Sequence, residues 1–230
     1  MNVLVRAADR ISGPIRRRLL MRRVRRLVLE TWDGLSILVL PDVLNPVVFR
    51  SGVVLAEALS KLTPPARRGG VPRALDVGTG SGIGALALAR AGLEVVAVDV
   101  NPEAVRCARI NALLNRLDER VDVREGDLFA PAGEEPFDVI AFNPPFFDGE
   151  PSDLHDAAWR GTGVFERFAT ELPSRLAPGG LALVLLSDHG AEERQCAVLR
   201  AAGLEVSVHA RRAFPNERLT TWAVRHPGAA

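Results

Sequence analysis

The chain of 230 residues is 47% hydrophobic and 25% charged, with a formal net charge of +1, which excludes a disordered chain and gives length for one sizeable domain. That neutrality is an average: residues 1–26 hold nine arginines against Asp9, a net +8, leaving 20 basic and 27 acidic residues beyond them, a net −7. Cys107 and Cys196 lie in no metal-type spacing, no apolar run reaches the ~18 residues that a membrane span needs, and the start lacks a secretory-signal pattern; the expectation is a cytoplasmic protein with no metal and no membrane association.

Leu19, Leu20, Val24, Leu27 and Val28 recur at helical spacing among arginines, so Arg16–Leu29 reads as an amphipathic helix in a basic arm, residues 1–33. Either its apolar stripe packs on the body, or the arm clamps RNA or an acidic protein surface; residues 16–29 contain no aromatic that could stack on bases. Residues 34–71 follow as the rest of a hairpin, a helix and a linker. Asp33-Gly34 between Val28–Trp32 and Leu35–Leu40 signals the hairpin, because both turn positions need positive φ. Residues 51–62 read as the helix and Thr63–Val71, rich in Pro, Arg and Gly, as the linker. Within residues 72–230, apolar strands Arg73–Val77, Glu94–Asp99, Val121–Glu125, Phe137–Phe142 and Leu181–Ser187 alternate with helices Gly82–Ala91, Pro102–Asn115, Thr162–Leu176 and Ala191–Ala202. Continuous apolar strands between helices predict a mostly parallel sheet buried on both faces. Leu204–Ala210 and Leu219–Arg225 have no helix between them, which predicts an antiparallel finish.

The first core strand ends in Leu75-Asp76-Val77-Gly78-Thr79-Gly80-Ser81-Gly82 and a helix starts there, so the glycines let backbone approach a ligand beside a helix N-terminus. The second ends at Asp99, followed by Val100; a carboxylate there accepts hydrogen bonds from ribose hydroxyls. A dinucleotide fits poorly, since Gly80-Ser81-Gly82-Ile83-Gly84-Ala85 matches its fingerprint only in the Ala form and Asp76 would repel a pyrophosphate. The Asp-x-Gly-x-Gly-x-Gly run suits a cationic or zwitterionic ligand, and it resembles the first motif of class I methyltransferases, which use S-adenosyl-L-methionine and release S-adenosyl-L-homocysteine. The resemblance implies cofactor contacts from Asp76, Gly78, Thr79, Gly80, Gly82, Asp99 and Val100. From Glu125-Gly126-Asp127-Leu128 it implies that Asp127 binds the adenine amino group and the Leu128 amide the ring.

Phe137–Phe142 runs directly into Asn143-Pro144-Pro145-Phe146. The prolines restrict the backbone and remove donors, so the Asn143 side-chain carbonyl and a proline carbonyl form two acceptors, enough for both hydrogens of one NH2 group. An aromatic at position 146 can stack on a flat amide or base. Asn143, Pro144, Pro145 and Phe146 are therefore the candidate catalytic centre, Asn143 also touching the cofactor. Asn-Pro-Pro-Phe/Tyr is similar to the signature of class I enzymes that methylate nitrogen on planar groups. Residues 35–225 resemble the small-domain group that includes HemK-type glutamine methyltransferases of release factors and ribosomal proteins, and equally guanine and adenine N-methyltransferases of RNA or DNA. The expected fold is thus α/β: a Rossmann-like seven-stranded methyltransferase sheet, mostly parallel with an antiparallel C-terminal edge, preceded by a short helix and hairpin. Val39–Pro46 followed by Phe49-Arg50-Ser51-Gly52 resembles the segment that precedes the core in HemK-related proteins, which implies Arg50 and Ser51 beside the cofactor. HemK-type bacterial enzymes carry a helical docking domain where this chain has its basic arm.

Phe147–Gly161 reads as a loop that selects the substrate. Within it Asp153, His155 and Asp156 have no metal-ligand spacing, and Trp159 either closes over the substrate or anchors the loop. The substrate is a protein or RNA, contacted by the arm; a small metabolite is a further alternative, and a non-catalytic dinucleotide-binding module is the reading from another class.

Overall fold

Strands buried on both faces need apolar runs, and helices between them must return the chain to the same sheet edge. The computed structural model, which describes residues 26–63, 70–153 and 156–228, follows that logic. Strands β1 (Val28–Trp32) and β2 (Leu35–Val39) precede helix α1 (Ser51–Leu59). Then come β3 (Arg73–Val77), α2 (Ile83–Arg90), β4 (Glu94–Asp99), α3 (Pro102–Leu114), β5 (Val121–Glu125), β6 (Phe137–Phe142), α4 (Val164–Arg175), β7 (Leu176–Ser187), α5 (Glu192–Ala201), β8 (Glu205–Phe214) and β9 (Glu217–Arg225). The second sheet has seven strands in the order β5-β4-β3-β6-β7-β9-β8. Its β5, β4, β3, β6 and β7 run parallel, while β9 is antiparallel to both β7 and β8. The one reversed strand therefore lies inside the edge.

One face of the sheet is covered by α1, α2 and α3 through Leu55, Leu59, Leu86 and Val105. The other is covered by α4 and α5 through Phe168, Leu172 and Leu199. Phe168 lies 4.2 Å from Phe142 and 5.4 Å from Phe129, ring centre to ring centre. Because the chain steps from β3 outward through β4 and β5, then returns to β6, the crevice falls at the carboxyl ends around β3 and β6.

Two expected boundaries shift. The helix expected over Arg16–Leu29 lies largely outside the described residues, and its last two residues, Val28 and Leu29, belong to β1. The 33/34 boundary between arm and hairpin falls inside that hairpin, whose turn residues have φ of 48° at Asp33 and 79° at Gly34. Strand β7 begins at Leu176 instead of Leu181, because Phe137 pairs with Leu176 and the register then shifts before Val139 pairs with Leu181. Pro178-Gly179-Gly180 is thus an irregularity within a strand, with Gly179 at φ 76°.

The hairpin is outside the main sheet, so its free edge needs other partners. Helix α3 supplies them. Asn111 Oδ1 accepts from the Leu38 N–H at 2.8 Å, and its Nδ2 donates to the carbonyls of Leu38 and Ser81 at 2.7 and 2.8 Å. At the helical repeat, and two residues along β2, Asn115 Oδ1 accepts from Ser36 at 3.0 Å and its amide donates to the Ser36 carbonyl at 2.8 Å. Two side chains four apart thus imitate a neighbouring strand. Cys107, buried on the same helix, contacts the Leu38 carbonyl.

Asn111→Ala leaves the Leu38 N–H and the Ser81 carbonyl without this partner and the Leu38 carbonyl with the Cys107 thiol alone, and should lower unfolding free energy by roughly 2–3 kcal/mol; half-buried Asn115→Ala should lose about 1 kcal/mol. Urea unfolding midpoints measure both. Equal, small losses would show that the hairpin is held by something else.

Candidate active site

A cavity of ≈ 440 Å³ opens at the carboxyl ends of β3, β4 and β6, a size usual for small-molecule sites. Its walls include Gly78, Thr79 and Gly80 after β3, Asp99 and Val100 after β4, Asp127 and Leu128 after β5, and Asn143 and Pro145 after β6. The chain thus brings four separate sequence signals to one place. Gly78 and Gly80 have φ of 63° and 55°, and a Cβ would meet nothing closer than Phe142 at 4.0 Å from Gly78, so backbone conformation and not room requires glycine there.

Asp76, Gly82, Pro144 and Phe146, expected at the cofactor or the catalytic centre, are not on the cavity wall. Asp76 is 4% exposed and turns under the glycine loop. Its Oδ2 accepts from the Thr79 hydroxyl at 2.6 Å and from the Ala85 N–H at 2.9 Å. A Cβ on Gly84 would stand 2.8 Å from that carboxylate, so Gly84 is what lets Asp76 reach the start of α2. Gly82 fits tightly against Ala108 of α3, where a Cβ would come within 3.0 Å. Phe146 packs partly buried against the core.

Asp99 accepts from Gly80 N at 2.8 Å through Oδ2 and from Asn101 N at 2.9 Å through Oδ1. A carboxylate has about four acceptor sites, so capacity remains for hydroxyl donors. Asn101 caps α3 by accepting from Glu103 N at 2.9 Å, with Pro102 at the first helical position, and its amide donates to the Asp42 carbonyl at 2.8 Å. This brings the segment Asp42–Pro46 onto the cavity wall. Asp127 is ion-paired with Arg167 of α4, a partner no motif marked. Leu128 has φ 48°, a conformation costing a leucine about 1–2 kcal/mol and held at the cavity wall.

Asn143 closes the site. Its Nδ2 donates to Ser51 Oγ at 3.2 Å, while its Oδ1 is buried with no hydrogen-bond partner. An orphaned buried acceptor costs about 1–3 kcal/mol and is an unfilled site for a donor. Ser51 thus reaches the site through Asn143, whereas Arg50 does not line the cavity and lays its guanidinium over Phe214 at 4.7 Å. The loop after β6 adds Glu150, Arg160 and Thr162 to the wall. Trp159 anchors that loop, edge-on to Phe49 at 4.8 Å, instead of entering the cavity. His155 lies outside the described residues, and among those described no three metal-binding side chains cluster.

A family model described as methyltransferase small domain matches residues 52–210. The chain is 35% identical over 154 residues to a Methanocaldococcus jannaschii protein provisionally named protein N5-glutamine methyltransferase, covering 63% of this chain and 77% of that one. It is 32% identical over 197 residues to the release factor glutamine methyltransferase of Geobacter sulfurreducens, covering 76% of this chain and 66% of that one. Against the protein of the same name from Deinococcus radiodurans it is 38% identical over 156 residues, 62% of this chain and 55% of that one. It therefore spans less than two thirds of those two release factor enzymes. Among solved structures, the T. thermophilus 16S rRNA N2 G1207 methyltransferase shares the fold with a TM-score of 0.61 at 24% identity, covering 87% of this chain and 50% of that one. The E. cuniculi Mtq2–Trm112 complex does so with a TM-score of 0.58 at 21% identity, covering 80% of this chain and 99% of that one.

Burial raises the Asp76 carboxyl from 3.8 to about 6, the hydrogen bonds from Thr79 and Ala85 opposing the rise and nearby Asp99 adding to it. Below about pH 4 this group is protonated folded and unfolded; above about pH 6 it is ionised in both. In between, the folded state holds the extra proton, so stability falls as pH rises, by an amount on the order of 2–3 kcal/mol. Asp76→Asn removes that titration. The wild-type minus mutant unfolding free energy should therefore decline from pH 4 to pH 6.5 in urea titrations, and a flat difference would contradict the assignment.

Proposed function

The chain belongs to the methyltransferase small-domain family, and from that premise we propose that it transfers the methyl group of S-adenosyl-L-methionine to the side-chain amide nitrogen of a glutamine in a protein of the translation machinery. The observation that carries the reading is the buried, unpartnered Oδ1 of Asn143 on a residue that lines the cavity.

The residues present fit this cofactor. Asp99 retains acceptor capacity for ribose hydroxyls, and apolar Val98, Val100 and Leu128 offer surfaces for a flat ring. When bound, the cofactor supplies a methyl group already activated by its sulfonium leaving group. The work left to the protein is orientation. Asn143 Oδ1 and a proline carbonyl beside it accept the two N–H groups of the acceptor amide, which fixes the plane of that amide and turns its nitrogen toward the methyl. Such positioning is worth several kcal/mol of barrier. As the N–C bond forms, one amide hydrogen is shed to solvent. Cofactor and acceptor therefore meet where β3 and β6 end side by side.

Release factors are the acceptors named for relatives in Geobacter sulfurreducens and Deinococcus radiodurans, and ribosomal protein uL3 for one in Bradyrhizobium diazoefficiens. All of these names describe proteins of translation. The net +8 of residues 1–26 gives the chain a means of holding an acidic surface or RNA beside the acceptor. A cytoplasmic setting follows from those partners.

Asn143→Ala should lower methyl transfer at least about 100-fold while leaving S-adenosyl-L-homocysteine affinity nearly unchanged, whereas Asp99→Ala should weaken that affinity about ten- to a hundredfold. Isothermal titration and radiolabel transfer separate the two effects. In a cell extract the labelled methyl should be removed by protease and withstand nuclease; the reverse would replace a protein acceptor with RNA. Deleting residues 1–26 should raise KM for the acceptor most at low salt.

A further inference from the structure

We infer that Ser51 is a positioning residue for the transfer step: its hydroxyl anchors the Asn143 amide, whose Oδ1 is left free for the acceptor. The inference rests on the role given to Asn143 above. An asparagine amide has two nearly isosteric ends, and rotating it by half a turn would put an NH2 where the acceptor's own NH2 must bind. The bond from Asn143 Nδ2 to Ser51 Oγ, at 3.2 Å, is the interaction that holds the amide in place, with Oδ1 left without a partner.

The chain before α1 is built to put Ser51 there. Asn45, 2% exposed, donates to Glu30 of the hairpin at 3.0 Å, and its Oδ1 accepts from Val47 N and Val48 N, both at 3.0 Å. The turn thus formed ends at Arg50, which takes φ 65° as the residue before the helix. That left-handed step is unfavourable for an arginine. It is braced by the Arg50 guanidinium over Phe214, and by Gly52, where a Cβ would stand 2.7 Å from Pro46. Ser51 emerges 3% exposed at the first position of α1. Turn, strained residue and close-packed glycine together fix one hydroxyl against one amide.

Ser51→Ala should cut kcat for methylation of a recombinant release factor about tenfold, the worth of one ordinary hydrogen bond, with KM and S-adenosyl-L-homocysteine affinity changed less than about twofold. In an Asn143→Ala background, the same change should have no further effect on the residual single-turnover rate. A Ser51→Ala loss that persists undiminished in that background, or one that falls on cofactor affinity instead of kcat, overturns the inference. A second readout needs no acceptor. By NMR, the Asn143 side-chain amide protons should exchange with solvent faster in Ser51→Ala than in the wild type, and equal rates overturn the inference as well. A wild-type protein that leaves the release factor unmethylated while showing the exchange difference would count against the proposed acceptor and for the Ser51–Asn143 bond.

Discussion

A carboxylate taken out of water is expensive unless its lone pairs are used, and the arrangement of this site starts from one such group. Asp76 lies beneath the glycine loop, held by the Thr79 hydroxyl in front of it and the Ala85 N–H in the first turn of α2 beyond it. That single side chain ties the end of β3, the loop and the helix start into one unit. The requirement propagates outward. Gly84 must lack a Cβ to admit the carboxylate, and Gly78 and Gly80 must take positive φ to turn the chain around it. Gly80 then presents its N–H to Asp99, which orients the second carboxylate at the cavity wall. The acid of the glycine motif thus shapes the surface that a ligand would meet while itself staying behind it.

Outside the sheet, asparagine performs the task that backbone pairing performs within it. Asn45 organises the turn before α1, Asn101 caps α3 and holds Asp42, and Asn111 and Asn115 pair with the hairpin edge. Each carries a donor and an acceptor on one short side chain, so it can replace a missing peptide neighbour. This explains how a two-stranded hairpin, marginal by itself in water, is fixed against α3. It also explains the dependence on burial. An amide in place of a backbone group confers stability only where water cannot compete, and Asn111 is fully buried.

Strands β3, β4, β5 and β6 were legible to the residue because parallel strands covered on both faces leave uninterrupted apolar runs between glycine, proline and acidic punctuation. The turn at Asp33-Gly34 was legible because positive φ restricts the choice of residue. That Asp99, Asp127 and Asn143 lie on one cavity wall was legible for a related reason: a residue at the end of a parallel strand is close in sequence to the strand that carries it. Contacts between distant segments left no such trace. Nothing adjacent to Arg167 points to Asp127, 40 residues earlier, and Ser51 and Asn143 meet across 92 residues. Asp76 and Phe146 each belong to a motif whose neighbours line the cavity, while Asp76 is buried beneath the loop and Phe146 packs partly against the core, a distinction the motif does not carry.

The unmet acceptor of Asn143 and the strained backbone of Leu128 belong to the same physical account. Folding alone favours neither: one leaves an acceptor unpaired, the other holds a leucine in a left-handed conformation. Both lie at the ends of parallel strands, where well-packed cores behind them keep the backbone from relaxing. On the Asn143 side that core is the Phe142–Phe168 contact, and on the Leu128 side the stacked Phe129–Phe168 pair. Phe168 of α4 thus supports both ends of the site from one position. A ligand that donates to Asn143 and packs on Leu128 recovers part of what folding leaves unsatisfied. The stability forgone at Asn143 and Leu128 is available as affinity for a ligand that meets both.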